Sequence, residues 1–169
     1  MNFKGNYTKK IVIGIDPGKG GGIAVVNWNL NDPSTKICTA FKCHETIDEM
    51  SSFIKMLTVD RSYKICYLER VHAFPTDGRS SAFKFGMNYG IWQGILSSFK
   101  IKTELIVPRK WQSFYGELPK NKQERKRKLK EIAIEKSNIK ATLKTADAIL
   151  IALYGYTQQI ELSQWIPEK

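Results

Sequence analysis

The sequence predicts one α/β domain, and three observations carry that expectation. Short runs rich in β-branched residues stop at turn residues, as strands do. Between them lie longer stretches whose apolar residues recur at spacings of three and four, the period of an amphipathic helix. The chain has 169 residues, 42% hydrophobic and 25% charged, which suits one domain with a sizeable core. With no internal repeat and no low-complexity tract, residues 1–169 read as a single domain, with 1–9 and 159–169 as flexible tails.

Residues 10–26, KIVIGIDPGKGGGIAVV, are the stretch around which the rest is arranged. Ile11, Val12, Ile13 and Ile15 make a continuous apolar run suited to a strand covered on both faces. The run stops at Asp16, turns through Pro17 and Gly18, and resumes at 23–26 as a second strand. The intervening glycines allow positive φ and close approach of another backbone or a phosphate. An acid so placed either caps the turn or serves as a metal ligand or phosphate-site acid, and only other carboxylates separate these readings.

Residues 29–34 have loop chemistry, and 36–43 alternate well enough for a third strand, so the first three strands form an antiparallel meander. Residues 46–57 place Ile47, Met50, Phe53, Ile54 and Leu57 on one helical stripe. The fourth strand, 63–68, ends at Glu69, again an apolar run meeting an acid. In the loop 71–79, His72, Phe74 and Arg79, with Lys84 just beyond, can meet phosphates and stack on bases; alternatively Phe74 packs inward beneath a surface loop. A long helix follows over 80–99, with Ser80 or Ser81 as N-cap and Phe83, Met87, Ile91 and Ile95 at core spacing. Gly86, Gly90 and Gly94 leave one strip of it nearly bare, at about 1 kcal/mol each. Such a strip suggests close contact with the sheet or with another helix, as in a dimer. Lys84, Asn88 and Gln93 exclude a membrane-dimer reading. Residues 103–107 form the fifth strand, and Pro108 opens a short helix that carries Lys110 and a Trp111 available for packing.

Lysine and arginine total 27 against 16 acidic residues, a formal net charge of +11, which points to an acidic partner such as nucleic acid or an anionic membrane surface. The charge is clustered: Lys120, Lys122, Arg125, Lys126, Arg127, Lys128 and Lys130 face only Glu124. A run that covers all sides of a helical turn gains nothing from i, i+4 pairing and repels itself, so contact with a phosphate backbone explains it better than a solvated face. In the last helix, 143–158, Asp147 falls on a stripe with Leu143, Leu150, Ile151 and Tyr154. A carboxylate there is costly unless it ligates a metal or pairs, for instance with Lys144. Trp165 and Pro167 lie in the tail.

Asp16, Glu69 and Asp147 thus sit at ends or inward faces of apolar elements. If the first and fourth strands are parallel neighbours, their ends lie side by side and the last helix brings the third acid over them. Hard oxygen donors of this kind suit Mg²⁺ or Mn²⁺. Two such ions can activate water and stabilise a leaving 3′ oxygen, so a basic protein with this site is a nuclease hypothesis.

Three motifs in order, IGIDPG (13–18), YLERV (67–71) with SAFKFGMNYG (81–90), and TADAILIALYG (145–155), resemble the RuvC-type Holliday junction resolvases of the RNase H-like superfamily, in a phage or viral form. The resemblance covers most of the chain. It implies an RNase H-like five-stranded mixed β-sheet flanked by helices and a homodimer. It also implies symmetric Mg²⁺- or Mn²⁺-dependent incision of four-way DNA junctions, leaving 5′-phosphate and 3′-hydroxyl ends. Asp16, Glu69 and Asp147 match three of the family's four metal-site acids, for one or two ions. Where the fourth stands, one helical turn before the last, this chain has Lys144, which either neutralises charge or contacts the scissile phosphate in its place. His72 lies near the residue that the family inserts into the opened junction, which makes His72 or Phe74 a stacking candidate.

A protein of the same fold that binds branched DNA without cutting it is the alternative that Lys144 motivates. The 13–26 stretch also resembles the first phosphate loop of sugar-kinase and actin-like ATPases, but those need two lobes and a second such loop. Cys38, Cys43 and Cys66 are odd in number and lack CxxC spacing, which supports neither a disulfide framework nor a zinc site. With no apolar leader and no run of about 18 apolar residues, a cytoplasmic location is expected, the host cytoplasm if the chain is phage-encoded, with no membrane partner.

Overall fold

The computed structural model describes residues 7–72 and 78–164. Five strands form one mixed sheet in the order β3-β2-β1-β4-β5. The strands are β1 (Lys9–Asp16), β2 (Gly22–Asn29), β3 (Asp32–Lys42), β4 (Tyr63–Glu69) and β5 (Lys102–Ile106). β1 to β3 are the expected antiparallel meander, and β4 and β5 add in parallel to the other side of β1. The sheet is the mixed α/β arrangement anticipated above. β3 starts earlier than expected, with Asp32 and Pro33 inside it, which an edge strand tolerates because Pro33 has no partner in the β2–β3 register.

Helices cover both faces: α1 (Ile47–Leu57), α2 (Arg79–Ser98), α3 (Pro108–Ser113), α4 (Lys122–Ser137) and α5 (Ala146–Gln164). Period-two alternation divides β1 between two cores. Ile11, Ile13 and Ile15 join Trp92 and Leu96 on the α1–α2 side, whereas Val12 joins Trp111, Leu129 and Ile151 on the α3–α5 side. α1 is held by a capping box in which Thr46 and Glu49 satisfy each other's backbone donors.

Several expected core positions lie outside. Phe83 is 71% and Met87 53% exposed, and Ile47 and Leu143 are also exposed. α2 is apolar on more than one face, and the sheet takes Trp92 and Leu96 together with the expected Ile95. Its N-cap is Gly78, without a side-chain bond, rather than Ser80 or Ser81. Leu143 precedes the helix because α5 begins only at Ala146. At the other end, 159–164 continue α5 instead of forming a tail, and buried Gln159 donates from Nε2 to the Tyr67 hydroxyl at 3.2 Å. Trp165 and Pro167 lie outside the described residues, as does Phe74.

α5 is seated on β1 through clearance at Gly14. A Cβ there would stand 2.4 Å from Ala152 N and 2.5 Å from Ala148 O. Further along, a Cβ on Gly22 would lie 2.6 Å from Lys144 O, and one on Gly155 would strike Tyr67 and Val12. The helix therefore runs antiparallel to β1, with its first turn over the Asp16 end. Gly14→Ala is expected to push α5 outward, costing about 1–3 kcal/mol in chemical denaturation.

Candidate active site

Strand register brings the first two acids together. β1 and β4 pair from Lys10↔Tyr63 to Ile15↔Leu68, so Asp16 and Glu69 are the next residues on adjacent parallel strands. Alternation puts Asp16 on the face of Val12 and Glu69 on the face of Ile65 and Tyr67, and both faces look toward α5. Asp147, in the first turn of α5, comes down over them. All three carboxylates are partly buried.

Their electrostatics show that they meet. Burial lifts the Asp16 carboxyl well above the usual carboxylate range, and the charges of Glu69 and Asp147 add to the lift. Glu69 is pushed up to about 7, first by burial and also by Asp147. Asp147 is raised by burial. The close approach of the Asp16 and Glu69 carboxyls raises Asp16 further and draws Glu69 down. One cation opposes the proton gain at all three acids, Lys126 of α4, and Arg125 joins it at Asp147. The basic helix and the acidic ends, separate features of the sequence, face one another across this site.

Among the described residues no group of three or more His, Cys, Asp or Glu side chains stands in the arrangement of a metal centre. The chemistry of the donor set nevertheless fits a hard divalent cation. Three carboxylates converge without an ion-pair partner among the described residues, and the upward shifts of all three mark a place of unmet positive charge.

Two supports orient the cluster. Trp111, fully buried on α3, donates its indole N–H to Glu69 Oε1 at 2.8 Å. On the other side the turn after Asp16 is pinned by α2: the Asn88 side-chain oxygen accepts the Gly18 N–H at 2.9 Å. Gly18 has φ +107°, and the Phe85 ring packs where its Cβ would be. Gly21 folds back so closely that a Cβ would collide with Asp16 O. Trp111→Phe keeps most of the packing and removes the bond to Glu69. It is expected to loosen the Glu69 carboxylate, with a stability loss of about 1–2 kcal/mol by denaturant titration.

The remaining sequence-derived candidates fall in three places. Lys144 is exposed in the turn before α5, and among the described ion pairs none joins it to Asp147; the cation facing Asp147 comes from α4 instead. Lys120, Lys122, Arg127 and Lys128 are exposed in and just before α4, while Arg125 is half-buried and donates to the carbonyls of Pro119 and Lys120. Arg79 and Lys84 are exposed on α2, Lys110 on α3, and His72 just beyond β4. Sequence reasoning took Trp111 for packing alone and missed Asn88. The available signal was a tryptophan and an asparagine in elements adjoining strand ends that carry acids. Gly86, Gly90 and Gly94 meet nothing within 4 Å, so the bare strip of α2 does not pack on the sheet.

No family model matches the chain, and no curated protein matches it. Among solved structures it is similar to Thermus thermophilus RuvC in complex with a Holliday junction substrate. That match has 16% identity and a TM-score of 0.60, covering 90% of this chain and 96% of that one. A Thermus thermophilus RuvC structure is similar at 17% identity and a TM-score of 0.58, covering 89% and 96%. The fold is therefore that of RuvC, the RNase H-like fold anticipated from the motifs. Among the described residues no helix is long and apolar enough to cross a membrane.

Proposed function

We propose, from the RuvC fold as premise, that this protein is a divalent-metal-dependent endonuclease that resolves four-way DNA junctions. The observation that carries this reading is the convergence of Asp16, Glu69 and Asp147 from three elements opposite the basic helix α4. Asp16, Glu69 and Asp147 are the residues that would hold Mg²⁺ or Mn²⁺. When bound, the metal supplies an activated water and charge stabilisation for in-line phosphodiester hydrolysis, with 5′-phosphate products.

The chain's own residues do the rest. Lys126 and Arg125 neutralise the acids and offer charge to the phosphate that enters between them. Trp111 fixes the Glu69 carboxylate, and the glycine turn keeps side-chain bulk away from the scissile phosphate. The exposed basic residues of α4, with Lys84, Arg79, Lys110 and His72, supply contacts to the DNA backbone. α2 leaves Phe83, Met87 and three glycines exposed on one side, a surface that fits a second copy in a homodimer.

The test is cleavage of four-way junctions, flaps and linear duplex with Mg²⁺ and with Mn²⁺. Junction-selective incision that disappears with a chelator is expected, and junction binding with no incision under either metal would favour the second reading. In that reading the chain binds branched DNA without cutting it. Lys144 at the place of a fourth acid is the feature that favours it.

A further inference from the structure

β3 is an edge strand, and its regular part carries an unpaired hydrogen-bonding ladder. The β2–β3 register breaks between Asn27 and Asn29, so the regular edge is 37–42. The Cys43 N–H donates to Gly21 O at 3.1 Å, and by alternation Phe41, Thr39 and Ile37 also turn their backbone groups toward β2. Cys38, Ala40 and Lys42 therefore direct N–H and C=O away from the sheet, where no described strand takes them.

The side chains of the same run divide by character. On the α1 side Ile37 is 59% and Phe41 44% exposed, with Thr39 exposed between them, and the Phe41 ring meets that of Phe53 edge-on at 5.5 Å. Met56, one helical turn beyond Phe53, extends that apolar surface at 60% exposure. On the α5 side stand Lys36 and Lys42, one at each end of the run, both exposed and neither in an ion pair among the described residues. Lys36 lies over the Tyr156 ring at 5.3 Å. A second copy of β3 paired so that Ile37 meets Phe41 sets Lys36 against Lys42 at both ends, and like charges directly opposed are destabilising. Nucleic acid satisfies the lysines but has no peptide groups for the ladder. Lysines that keep like strands off an edge leave it open to an acidic one. We propose that the β3 edge takes up an extended segment of a partner protein, apolar on the face toward α1 and acidic at the two positions opposite Lys36 and Lys42. This surface does not rest on the nuclease reading.

The test uses the full chain and the fluorescein-labelled peptide Glu-Val-Ser-Val-Ser-Val-Glu, whose pattern reads the same in either direction, with Lys-Val-Ser-Val-Ser-Val-Lys as the control. The acidic peptide is expected to bind about tenfold more tightly than the control by fluorescence anisotropy. It is also expected to slow amide exchange about tenfold at Cys38, Ala40 and Lys42, leaving Thr39 and Phe41, already turned toward β2, unchanged. Ile37→Glu, at an exposed position that spares the core, is expected to remove both effects. Lys36→Glu combined with Lys42→Glu is expected to reverse the preference between the two peptides. Failure of the acidic peptide to bind, equal binding of the two peptides, or binding without protection of those amides overturns the proposal. Protection of the same amides without peptide, rising with protein concentration, assigns the edge to a second copy and overturns it too. Protection on addition of a four-way junction in place of the peptide assigns the edge to DNA, with the same result.

Discussion

Asp16→Asn is expected to abolish the proposed Mg²⁺-dependent junction cleavage, by at least about a thousandfold, while junction binding stays within about twofold because the proposed DNA contacts lie on α4 and α2. The same substitution should stabilise the metal-free protein at neutral pH. In the wild type the Asp16 and Glu69 carboxyls hold protons more tightly folded than unfolded. Stability from such groups is fully present below their unfolded pKa and is lost as pH rises through the folded value. For Glu69 the window runs from 4.5 to about 7. Thermal denaturation in chelator is therefore expected to show the wild type losing stability across that range. Asp16→Asn, which removes one like charge from the cluster, should lose less. Equal pH dependence in the two proteins would mean that the carboxylates do not share a site.

Lys126→Ala is the second large effect. Lys126 is the cation common to all three acids, and without it each carboxyl keeps its proton to higher pH and competes better against a divalent ion. Cleavage at neutral pH is expected to fall about a hundredfold, with the acid limb of the pH–rate profile displaced upward and activity partly restored at high pH. Lys144→Ala, at an exposed position in the turn before α5, is expected to cost much less. Equal losses in both variants would return the charge-balancing role to Lys144.

The parts of the fold that were legible in the sequence are those written in local pattern. Apolar runs ending at Asp16 and Glu69 marked two strands and their acids, because each was a short apolar segment stopping at a carboxylate. The parallel pairing that joins those acids stayed conditional, since register depends on residues far apart in the chain. Asp147 stood out because a carboxylate on an apolar helical stripe demands a reason. α2 misled for the opposite cause: it carries apolar residues on two faces, and period alone does not say which one the sheet takes. Phe83 and Met87 consequently belong to the exposed side and Trp92 and Leu96 to the core. Trp111 was read as a packing residue and Lys126 as a phosphate-contacting cation, but neither as a neighbour of the acids. Their roles arise from contacts with strand ends 42 residues or more away in sequence, to which no local pattern points.

The central claim is that Asp16, Glu69 and Asp147 together hold a divalent cation, and calorimetric titration with Mn²⁺ in buffers of different ionisation enthalpy tests it directly. The account predicts binding by the wild type near pH 6 with net release of protons, because burial and mutual repulsion raise the carboxyls that the ion must occupy. Asp16→Asn and Glu69→Gln should each lose the binding. Mn²⁺ binding of equal affinity in both variants, or no binding by the wild type, would contradict it.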